Sequence, residues 1–372
     1  MSTTLSEADL KKKIDLFSSL EYKKGRYRQR NWGHPLHSLC SYPSKLKPSI
    51  AYFLVDIFTQ ESQTILDPFS GVGTLPFEAC EQGRVGIGSD INPLAFHVTR
   101  AKVDRLSDEE IRKQTDELGR FIAENKTSST DEAEEEIIPF YHPDTLKEIL
   151  AARRFFQLRR EENVSFVMAC ILHILHGNRP YALSRRSHNI MPWPPKGPTI
   201  YKPVAKLVRE KVERMLAETL PLTYVKGQAI QDDVFNLSIP NASVDCILTS
   251  PPFYVNRDFV RMNRLRLWFC GWDYKRQAEM KASFLESQKD IAIYDKVFAE
   301  FGRVLKPRSI CVMHLGVVKK MDMAKDLTPH AEKRSFDAFE PIYEDTSKLE
   351  SHGIVDRGAT SKHQFLVLRK RE

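Results

Sequence analysis

Apolar residues recur along the chain with two alternating spacings, one typical of strands and one typical of helices. Short apolar runs, which indicate buried strands, fall at residues 64–69, 85–90, 223–227, 244–249, 309–315 and 364–368. Helical spacing appears at residues 48–59, 74–82, 94–103, 107–124, 144–158, 165–176, 203–220 and 294–305. Because strands alternate with helices at both ends of the sequence, the pattern predicts an α/β fold around a parallel sheet.

The middle of the chain departs from this alternation. Residues 104–222 carry helical patterns and no strand pattern, so we expect a mainly helical insertion. Within this insertion, residues 177–203 lose periodicity and are rich in proline, which predicts an extended, stiff loop.

Composition narrows the classes of protein to which the chain can belong. Hydrophobic residues make up 41% of the 372 residues, which is enough to build a core and excludes a disordered chain. No apolar run reaches the roughly 18 residues that span a membrane, and the first residues lack a signal-peptide pattern. We therefore expect a cytoplasmic protein. The net charge of +7 is compatible with a polyanionic partner.

The six cysteines are scattered, with no CxxC pair and no nearby histidine cluster. This pattern is typical of reduced, mostly buried thiols, and it predicts no metal site.

A glycine-rich turn, DPFSGVGT at residues 67–74, follows the first predicted strand. Gly71 and Gly73 allow a tight turn and close approach to a ligand, and Asp90 follows the next strand. An acid there can accept both hydroxyls of a ribose. The turn matches neither GxGxxG nor a P-loop, so ordinary strand–turn–helix packing remains the alternative.

A second motif, DCILTSPPF at residues 245–253, begins as a buried strand and ends in two prolines. Pro251 and Pro252 stop the strand and fix a rigid loop at its carboxyl end, where ligands bind in open α/β sheets. Ser250 and a backbone carbonyl can accept the N–H groups of an exocyclic amine, while Phe253 can stack on a planar base. The alternative is a surface turn with an incidental phenylalanine.

In this order, the two motifs and GSDINP resemble class I S-adenosylmethionine-dependent amino-methyltransferases, specifically the DNA N4-cytosine/N6-adenine group. The resemblance covers residues 31–103 and 223–315 and implies a Rossmann-like sheet. We therefore predict a catalytic domain formed by residues 31–103 and 223–372. A helical and basic segment, residues 1–30, would precede it, and the insertion at 104–222 would recognise the target.

The resemblance also implies roles for particular residues. The catalytic tetrad would be Ser250, Pro251, Pro252 and Phe253. The cofactor S-adenosylmethionine would be bound by Tyr42, Asp67, Phe69, Gly71, Gly73, Thr74, Asp90, Ile91 and Asp233. Asp90 would contact the ribose and Ile91 the adenine. Asp233 best matches the acid that contacts the adenine amino group, although Asp232 leaves the register open by one residue.

The implied activity is methylation of a flipped DNA base. Serine before Pro-Pro favours cytosine N4, with adenine N6 as the alternative. An RNA methyltransferase of the tRNA guanine-N2 type remains open, as do a protein glutamine methyltransferase and a non-catalytic DNA-binding protein. The expected partners are double-stranded DNA and a cognate restriction endonuclease, with no membrane.

Two basic stretches are candidates for contacts with nucleic acid. Arg185 and Arg186 lie in the proline-rich loop, and Arg257 and Arg261 lie where arginines alternate with large apolar residues. These side chains could reach phosphates or line the space of a flipped base. A solvated loop and an amphipathic helix are equally compatible with the same residues.

Overall fold

The computed structural model of the chain alternates strands and helices. It describes residues 6–20, 25–29, 32–126, 129–185, 191–193, 195–253, 258–288, 290–319, 321–345, 350–351, 354–355 and 360–372. Among these residues, the longest helices are too short or too polar to cross a membrane.

The helices begin at the signals that the sequence carries. Proline occupies the first turn of three of them, and the Ser107 hydroxyl accepts a hydrogen bond from the Glu110 amide at 3.2 Å in a capping box. The helices of the described residues are α1 (Glu7–Ser19), α2 (Pro48–Phe58), α3 (Thr74–Glu81), α4 (Pro93–Val103), α5 (Asp108–Asn125), α6 (Pro143–Leu158), α7 (Ser165–Ile174), α8 (Val204–Leu216), α9 (Phe259–Phe269), α10 (Tyr274–Lys281), α11 (Tyr294–Val304) and α12 (Met323–Lys333).

The strands form a central sheet and one small hairpin. They are β1 (Thr64–Asp67), β2 (Val85–Ser89), β3 (Gln228–Ile230), β4 (Val244–Thr249), β5 (Leu305–Val318), β6 (Met321–Asp322), β7 (Phe336–Ala338), β8 (Ile342–Asp345), β9 (Glu350–Ser351), β10 (Ile354–Val355) and β11 (Thr360–Lys370). In the described residues, β9 and β10 pair only with each other.

The sheet has the order β3-β2-β1-β4-β5-β11-β7, with β6 paired to β5 and β8 paired to β11. The pairs from β3 to β5 are parallel, whereas β11 is antiparallel to β5, β7 and β8. The predicted Rossmann-like α/β sheet is thus confirmed, and the predicted parallel pairing holds from β3 to β5. β11 enters between β5 and β7 in the opposite direction.

Apolar side chains on the two faces of the sheet reach different helices. Ile65 packs with α1 and α2, while its neighbour Leu66 packs on the other face with α11 and α12. This division follows from strand geometry, because successive side chains point to opposite faces. The buried core therefore sits on both sides of β1 and β4 and fixes their carboxyl ends.

One predicted strand was wrong in its position. Residues 223–227 form no strand, and β3 begins only at Gln228. The amide of Val225 instead donates to the carbonyl of Cys80 at 2.9 Å, and the amide of Gly227 donates to the carbonyl of Val103 at 2.7 Å. The backbone there is bonded to the ends of α3 and α4, so it cannot pair with β2.

The residues of the predicted insertion, 104–222, contribute α5 to α8. In this part of the chain α7 packs on α4, and α8 packs on α5 and α7. Their apolar residues belong to the same core cluster as Phe77 of α3 and Val98 of α4. The helices therefore cover one flank of the sheet, and the division into domains stays a prediction.

We expect Gly86→Ala to lower the free energy of unfolding by about 3 kcal/mol. A Cβ atom at Gly86 would lie 2.0 Å from the carbonyl oxygen of Pro76, so α3 would have to move away from β2. Urea unfolding measures the effect. In the control Gly119→Ala, the nearest atom would lie 3.9 Å away, so the better helix former should add about 0.5 to 1 kcal/mol. Equal stability of the two variants would contradict the close contact.

Candidate active site

A cavity of about 360 Å³ opens at the carboxyl ends of β1, β2 and β4. This volume is in the range of small-molecule pockets. The predicted cofactor and catalytic residues that line it are Tyr42, Asp67, Phe69, Gly71, Thr74, Asp90, Ile91, Asp233, Ser250, Pro251, Pro252 and Phe253. Gly73 is not on the wall. Residues that are far apart in sequence thus meet at one edge of the sheet.

The glycine-rich turn brings the start of α3 to the cavity. Gly71 and Gly73 both have left-handed backbone conformations, with φ angles of 51° and 66°. A Cβ atom at Gly73 would lie 2.7 Å from the Thr99 hydroxyl oxygen, so only glycine fits between the turn and α4. Gly73 therefore shapes the turn from behind, and its contact with the cofactor stays a prediction.

Asp67, the last residue of β1, connects the two motifs. Its Oδ1 atom accepts hydrogen bonds from the Thr249 hydroxyl at 2.6 Å and from the Phe69 amide at 3.1 Å. Burial raises the pKa of Asp67 to about 7, because a carboxylate loses hydration there. Because Thr249 is the residue before Ser250, its bond to Asp67 fixes the end of β1 beside the end of β4.

Asp90, directly after β2, is held by backbone amides. Its Oδ2 atom accepts from Gly71 at 2.9 Å and its Oδ1 atom from Asn92 at 3.0 Å. Burial raises the pKa of Asp90 to about 6. Each carboxylate oxygen can accept more than one hydrogen bond, so the oriented group retains acceptor capacity for the hydroxyls of a ribose.

Tyr42 lines the cavity beside the glycine turn, with its ring 3.5 Å from where a Cβ atom of Gly71 would lie. Its ring stacks on Phe259 with 5.9 Å between centroids, and its hydroxyl accepts from the Asn92 side-chain amide at 3.3 Å. Burial raises the pKa of the Tyr42 hydroxyl well above its usual value. A neutral aromatic wall is therefore held at this end of the cavity.

Asp232 and Asp233 both line the cavity but differ in their partners. The carboxylate of Asp232 accepts from the amide and the hydroxyl of Ser238, at 2.7 and 2.8 Å. In Asp233, Oδ1 accepts from the Phe235 amide at 3.0 Å. Among the described residues no partner is shown for Oδ2 of Asp233, so Asp233 is better suited than Asp232 to accept from an adenine amino group.

The cavity contains an orphaned polar atom that fits a charged ligand. The hydroxyl oxygen of Thr74 is buried and has no hydrogen-bond partner among the described residues. It lies at the N-terminus of α3, where backbone amides also lack helical partners. A carboxylate such as that of a methionine moiety would satisfy these groups. The residues present therefore fit S-adenosylmethionine.

Ser250 has partners that the sequence motifs did not indicate. Its hydroxyl oxygen lies 3.0 Å from Nδ1 of His314, and Nε2 of His314 lies 2.9 Å from Nδ1 of His363. The Phe253 ring lies beside both histidines, 5.5 Å from the His314 centroid. Both histidines line the cavity, as does Glu286. One signal was available: His314 is a lone polar residue in an apolar run.

The predicted basic residues are only partly described. Arg186 and Arg257 lie outside the described residues. The guanidinium group of Arg185 donates to the carbonyls of Gly197 and, at 3.5 Å, of Pro139, so it braces the proline-rich loop. Arg261 is exposed on α9, with its guanidinium carbon 5.0 Å from the ring centroid of Trp193. Their roles in binding nucleic acid stay predictions.

His37, Glu78 and Glu81 form a group whose ligand atoms lie close enough to hold a metal ion. Nε2 of His37 lies 3.1 Å from Glu78 and 3.4 Å from Glu81, and burial lowers the pKa of His37 to about 4. A neutral imidazole that donates to these carboxyls explains the arrangement, which ties the segment before Tyr42 to α3. All six cysteines are free, and five of them are buried.

Binding of S-adenosylmethionine is expected to tighten as pH rises from about 5 to about 8. Burial raises the pKa of Asp90 to about 6 and that of Glu286 to about 7, so both are partly protonated near neutrality. A cationic ligand with ribose hydroxyls favours the ionised carboxylates, so binding should release protons. Below about pH 6 the Kd should rise up to tenfold per pH unit for each required carboxylate.

Calorimetry in two buffers of different ionisation enthalpy measures both the Kd and the proton release. The Asp90→Asn and Glu286→Gln variants should each flatten part of this dependence. Binding that strengthens on acidification would contradict the expectation.

A family match over residues 37–151, taken with the sheet order, the glycine turn and the acid after β2, supports the class of the protein. The chain is an S-adenosylmethionine-dependent methyltransferase, and S-adenosylmethionine is its cofactor. Residues 37–151 match the UPF0020 family, described as an RMKL-like methyltransferase domain. A search of curated proteins found no similar sequence.

Several solved structures are similar to the chain. A methyltransferase of Methanosarcina mazei has 10% identity and a TM-score of 0.35, with 89% of this chain and 99% of that chain covered. TYW2 of M. jannaschii, solved with the cofactor, has 8% identity and a TM-score of 0.35, covering 87% and 74%. A protein of Thermus thermophilus assigned as a DNA modification methylase has 23% identity and a TM-score of 0.24, covering 38% and 52%.

Proposed function

We propose that the protein transfers a methyl group to the exocyclic amine of a flipped DNA base, with cytosine N4 as the preferred target. The observation that carries the proposal is the position of Ser250 and Phe253. Both line the same cavity as Asp67, Asp90 and the glycine turn. The Ser250 hydroxyl, a hydrogen-bond acceptor, and the Phe253 ring, which can stack on a base, thus lie next to the residues that fit the cofactor.

Ser250 and the Pro251 carbonyl would hold the target amine. The lone pair of an aryl amine is delocalised into the ring, which makes the amine a poor nucleophile. Two acceptors bonded to its N–H groups favour a pyramidal nitrogen and direct the lone pair at the methyl group. Because Pro251 and Pro252 stiffen the loop, this arrangement is present before the base arrives.

Phe253 would stack on the base. Its ring lies against β5 at Gly316, where a Cβ atom would lie only 2.8 Å from the ring. Glycine at that position therefore permits the ring to lie this close to the strand. A base within a duplex cannot reach the end of such a cavity, so the target must be extruded from the stack.

The cofactor supplies an electrophilic methyl group on its sulfonium. Asp90 would hold its ribose, Ile91 and Asp233 its adenine, and Thr74 with the start of α3 its carboxylate. These contacts would orient the bound cofactor in the cavity that Ser250 also lines. Adenine bound at this wall also leaves the region around Phe253 for the target base.

Cytosine is preferred because the residue before Pro-Pro is serine. In the group of DNA amino-methyltransferases that the chain resembles, enzymes with serine before Pro-Pro often methylate cytosine N4. Aspartate or asparagine at that position more often accompanies methylation of adenine N6 and other amines. Adenine N6 and an RNA amine of the guanine-N2 type use the same chemistry at the same cavity. They are therefore the alternative outcomes of the experiment below.

We propose double-stranded DNA as the partner, and the surface beside the cavity supports binding of a nucleic acid. α9 begins at Phe259, which lines the cavity, and presents Arg261 to solvent two residues later. Trp193, 48% exposed, lies under that guanidinium group. A cation and an aromatic face together are suited to phosphates and unstacked bases. Pairing with a cognate restriction endonuclease would follow from site-specific methylation.

The decisive experiment is nucleoside mass spectrometry after incubation with methyl-labelled S-adenosylmethionine, unmethylated DNA and tRNA. We expect label in N4-methylcytosine from DNA. Label in N6-methyladenine would keep the DNA substrate and change the base, and label only in RNA would overturn the DNA assignment. The Ser250→Ala variant, incubated in parallel, should incorporate label at least about 100-fold more slowly.

A further inference from the structure

Three polar side chains form a hydrogen-bonded series that leads away from the reaction centre. Ser250 is followed by His314 at 3.0 Å, and His314 by His363 at 2.9 Å. His314 is 5% exposed, whereas His363 is half-buried. The series therefore connects the half-buried hydroxyl of Ser250 in the cavity, through the buried imidazole of His314, with the half-buried imidazole of His363.

The register of the strands fixes this series. His314 and Gly316 are two residues apart on β5, so they share one face of the sheet. β11 runs antiparallel to β5 and aligns His363 with Gly316, which places His363 diagonally across from His314. On the next strand, β8, Glu344 is aligned with His363. Three strands thus present a serine-linked histidine pair and an acid along one face.

The surroundings of the two histidines are mostly apolar. Phe253 covers them from the cavity, and Phe365, aligned with His314, has its ring centroid 5.1 Å away. The charged residue aligned with the pair is Glu344 on β8, which lies opposite His363 in the register of the strands. A positive charge on the His363 imidazole would therefore have a carboxylate on the neighbouring strand.

The hydrogen positions in this series follow from the task of Ser250. When the Ser250 oxygen accepts from the target amine, its own hydrogen must go to another acceptor, and Nδ1 of His314 is within reach. The remaining hydrogen of His314 is then on Nε2, from which it is donated to Nδ1 of His363. The second imidazole thereby holds the first in the one neutral tautomer that serves Ser250.

We propose that His314 and His363 are positioning residues that accept, through Ser250, the proton released by methyl transfer. This proposal rests on the function proposed above. In the reaction the amine nitrogen forms the new N–C bond, and the S–C bond breaks with its electron pair on sulfur. The methylated nitrogen then carries one surplus proton.

That proton passes to the Ser250 oxygen while the Ser250 hydrogen passes to Nδ1 of His314. The Nε2 proton of the His314 imidazolium then passes to Nδ1 of His363, and the Nε2 proton of His363 leaves to solvent. Both imidazoles are then neutral with hydrogen on Nδ1, and they return to the Nε2 tautomer by proton exchange before the next turnover. The balance is one methyl group transferred and one proton released. The arrangement is similar to that of catalytic serine–histidine pairs in which a third residue holds the histidine in one tautomer. His363 would be that third residue here.

The kinetic test compares H314N with the wild-type protein. Asparagine keeps an acceptor near the position of Nδ1, so Ser250 stays bonded, but it cannot be protonated. We expect kcat to fall by about 100-fold with the KM for the nucleic acid and the Kd of the cofactor unchanged. At saturating S-adenosylmethionine, the decline of the wild-type kcat on acidification, which reports protonation of the pair, should be absent from H314N. A wild-type kcat and pH profile would overturn the proposal.

Two further variants separate the proton pathway from a structural effect. His363→Asn, at the half-buried position, keeps an acceptor for Nε2 of His314 and should lose only about tenfold in kcat. The matched control is His330→Asn, which removes the 2.8 Å contact with Asp295 on α11 and should leave the rate and its pH dependence unchanged. Equal losses in all three variants would mean general destabilisation and would also overturn the proposal.

A measurement without any methyl acceptor distinguishes failure of this proposal from failure of the proposed function. NMR of the protein with ¹⁵N-labelled histidine should show His314 and His363 both neutral with hydrogen on Nε2 near pH 8, and Ser250→Ala should shift His314 alone. Hydrogen on Nδ1 of His314 would overturn the proton pathway. If label appears only in RNA, the DNA assignment fails, and the kinetic comparison is made with that RNA.

Discussion

Ser250→Ala is expected to slow methyl transfer by about 100- to 1,000-fold and to leave the Kd of S-adenosylmethionine unchanged. The variant removes the acceptor that orients the target amine, while the residues of the cofactor wall keep their contacts. Single-turnover transfer of labelled methyl measures the rate, and calorimetry measures the Kd. This is the largest effect on the chemical step that we expect from a single atom.

The control for this variant is Ser243→Ala. Ser243 directly precedes β4, whereas Ser250 directly follows it, so the two serines lie at opposite ends of the strand. The Ser243 hydroxyl donates to the Pro240 carbonyl at 2.7 Å. Its loss should not change kcat. If Ser250→Ala retained the full rate while binding the cofactor normally, the catalytic role of the SPPF loop would be wrong.

Asp90→Ala is expected to raise the Kd of S-adenosylmethionine by at least about 100-fold. The carboxylate is placed to accept two charge-assisted hydrogen bonds from the ribose, each worth about 1.5 to 3 kcal/mol. It also accepts the Gly71 amide at 2.9 Å, so its loss loosens the glycine turn as well. Calorimetry or equilibrium dialysis provides the measurement.

Two comparisons make the Asp90 result specific. Asp90→Asn keeps one oxygen acceptor and should lose less affinity than Asp90→Ala. Asp295→Asn removes a carboxylate that pairs with His330 and Lys333 on α12, and it should leave the Kd unchanged. A Kd for Asp90→Ala within a few-fold of the wild-type value would exclude the ribose contact.

The cofactor wall could be predicted from sequence because its signals are local. The turn after β1 needs glycines at left-handed positions, and Gly71 and Gly73 supply them within a few residues of Asp67. The proline pair likewise stops β4 at a fixed place beside Ser250. Since the carboxyl ends of neighbouring parallel strands meet, one strand order brings these separate segments to one cavity.

The partners of Ser250 could not be predicted in this way. His314 and His363 meet only because β11 is antiparallel to β5 and is aligned in one particular register. Neither the direction of a strand nor its register is encoded in the few residues that carry it. Glu286 is a similar case, because it lies in a short 3₁₀ helix, Leu285–Ser287, that has no recognisable pattern.

Residues 223–230 show a different limit of prediction from sequence. The apolar pattern of residues 223–227 predicts a strand. However, the amides of Val225 and Gly227 donate to carbonyls at the ends of two helices. Local propensity was overridden there by tertiary contacts, and the strand was displaced to Gln228. The close approach explains Gly227 itself, since a Cβ atom there would lie 2.1 Å from the Gly86 carbonyl.

The late position of β11 in the chain has a consequence for biosynthesis. The strands that carry the cofactor wall, β1, β2 and β4, leave the ribosome well before Thr360–Lys370. β5 therefore lacks its antiparallel partner β11 until these residues have been synthesised, and β11 also places Phe365 and Val367 in the core around Ile65. The sheet that positions the cavity is thus completed by an element made after the strands of the cofactor wall, so cofactor recognition and catalysis depend on the same late folding step.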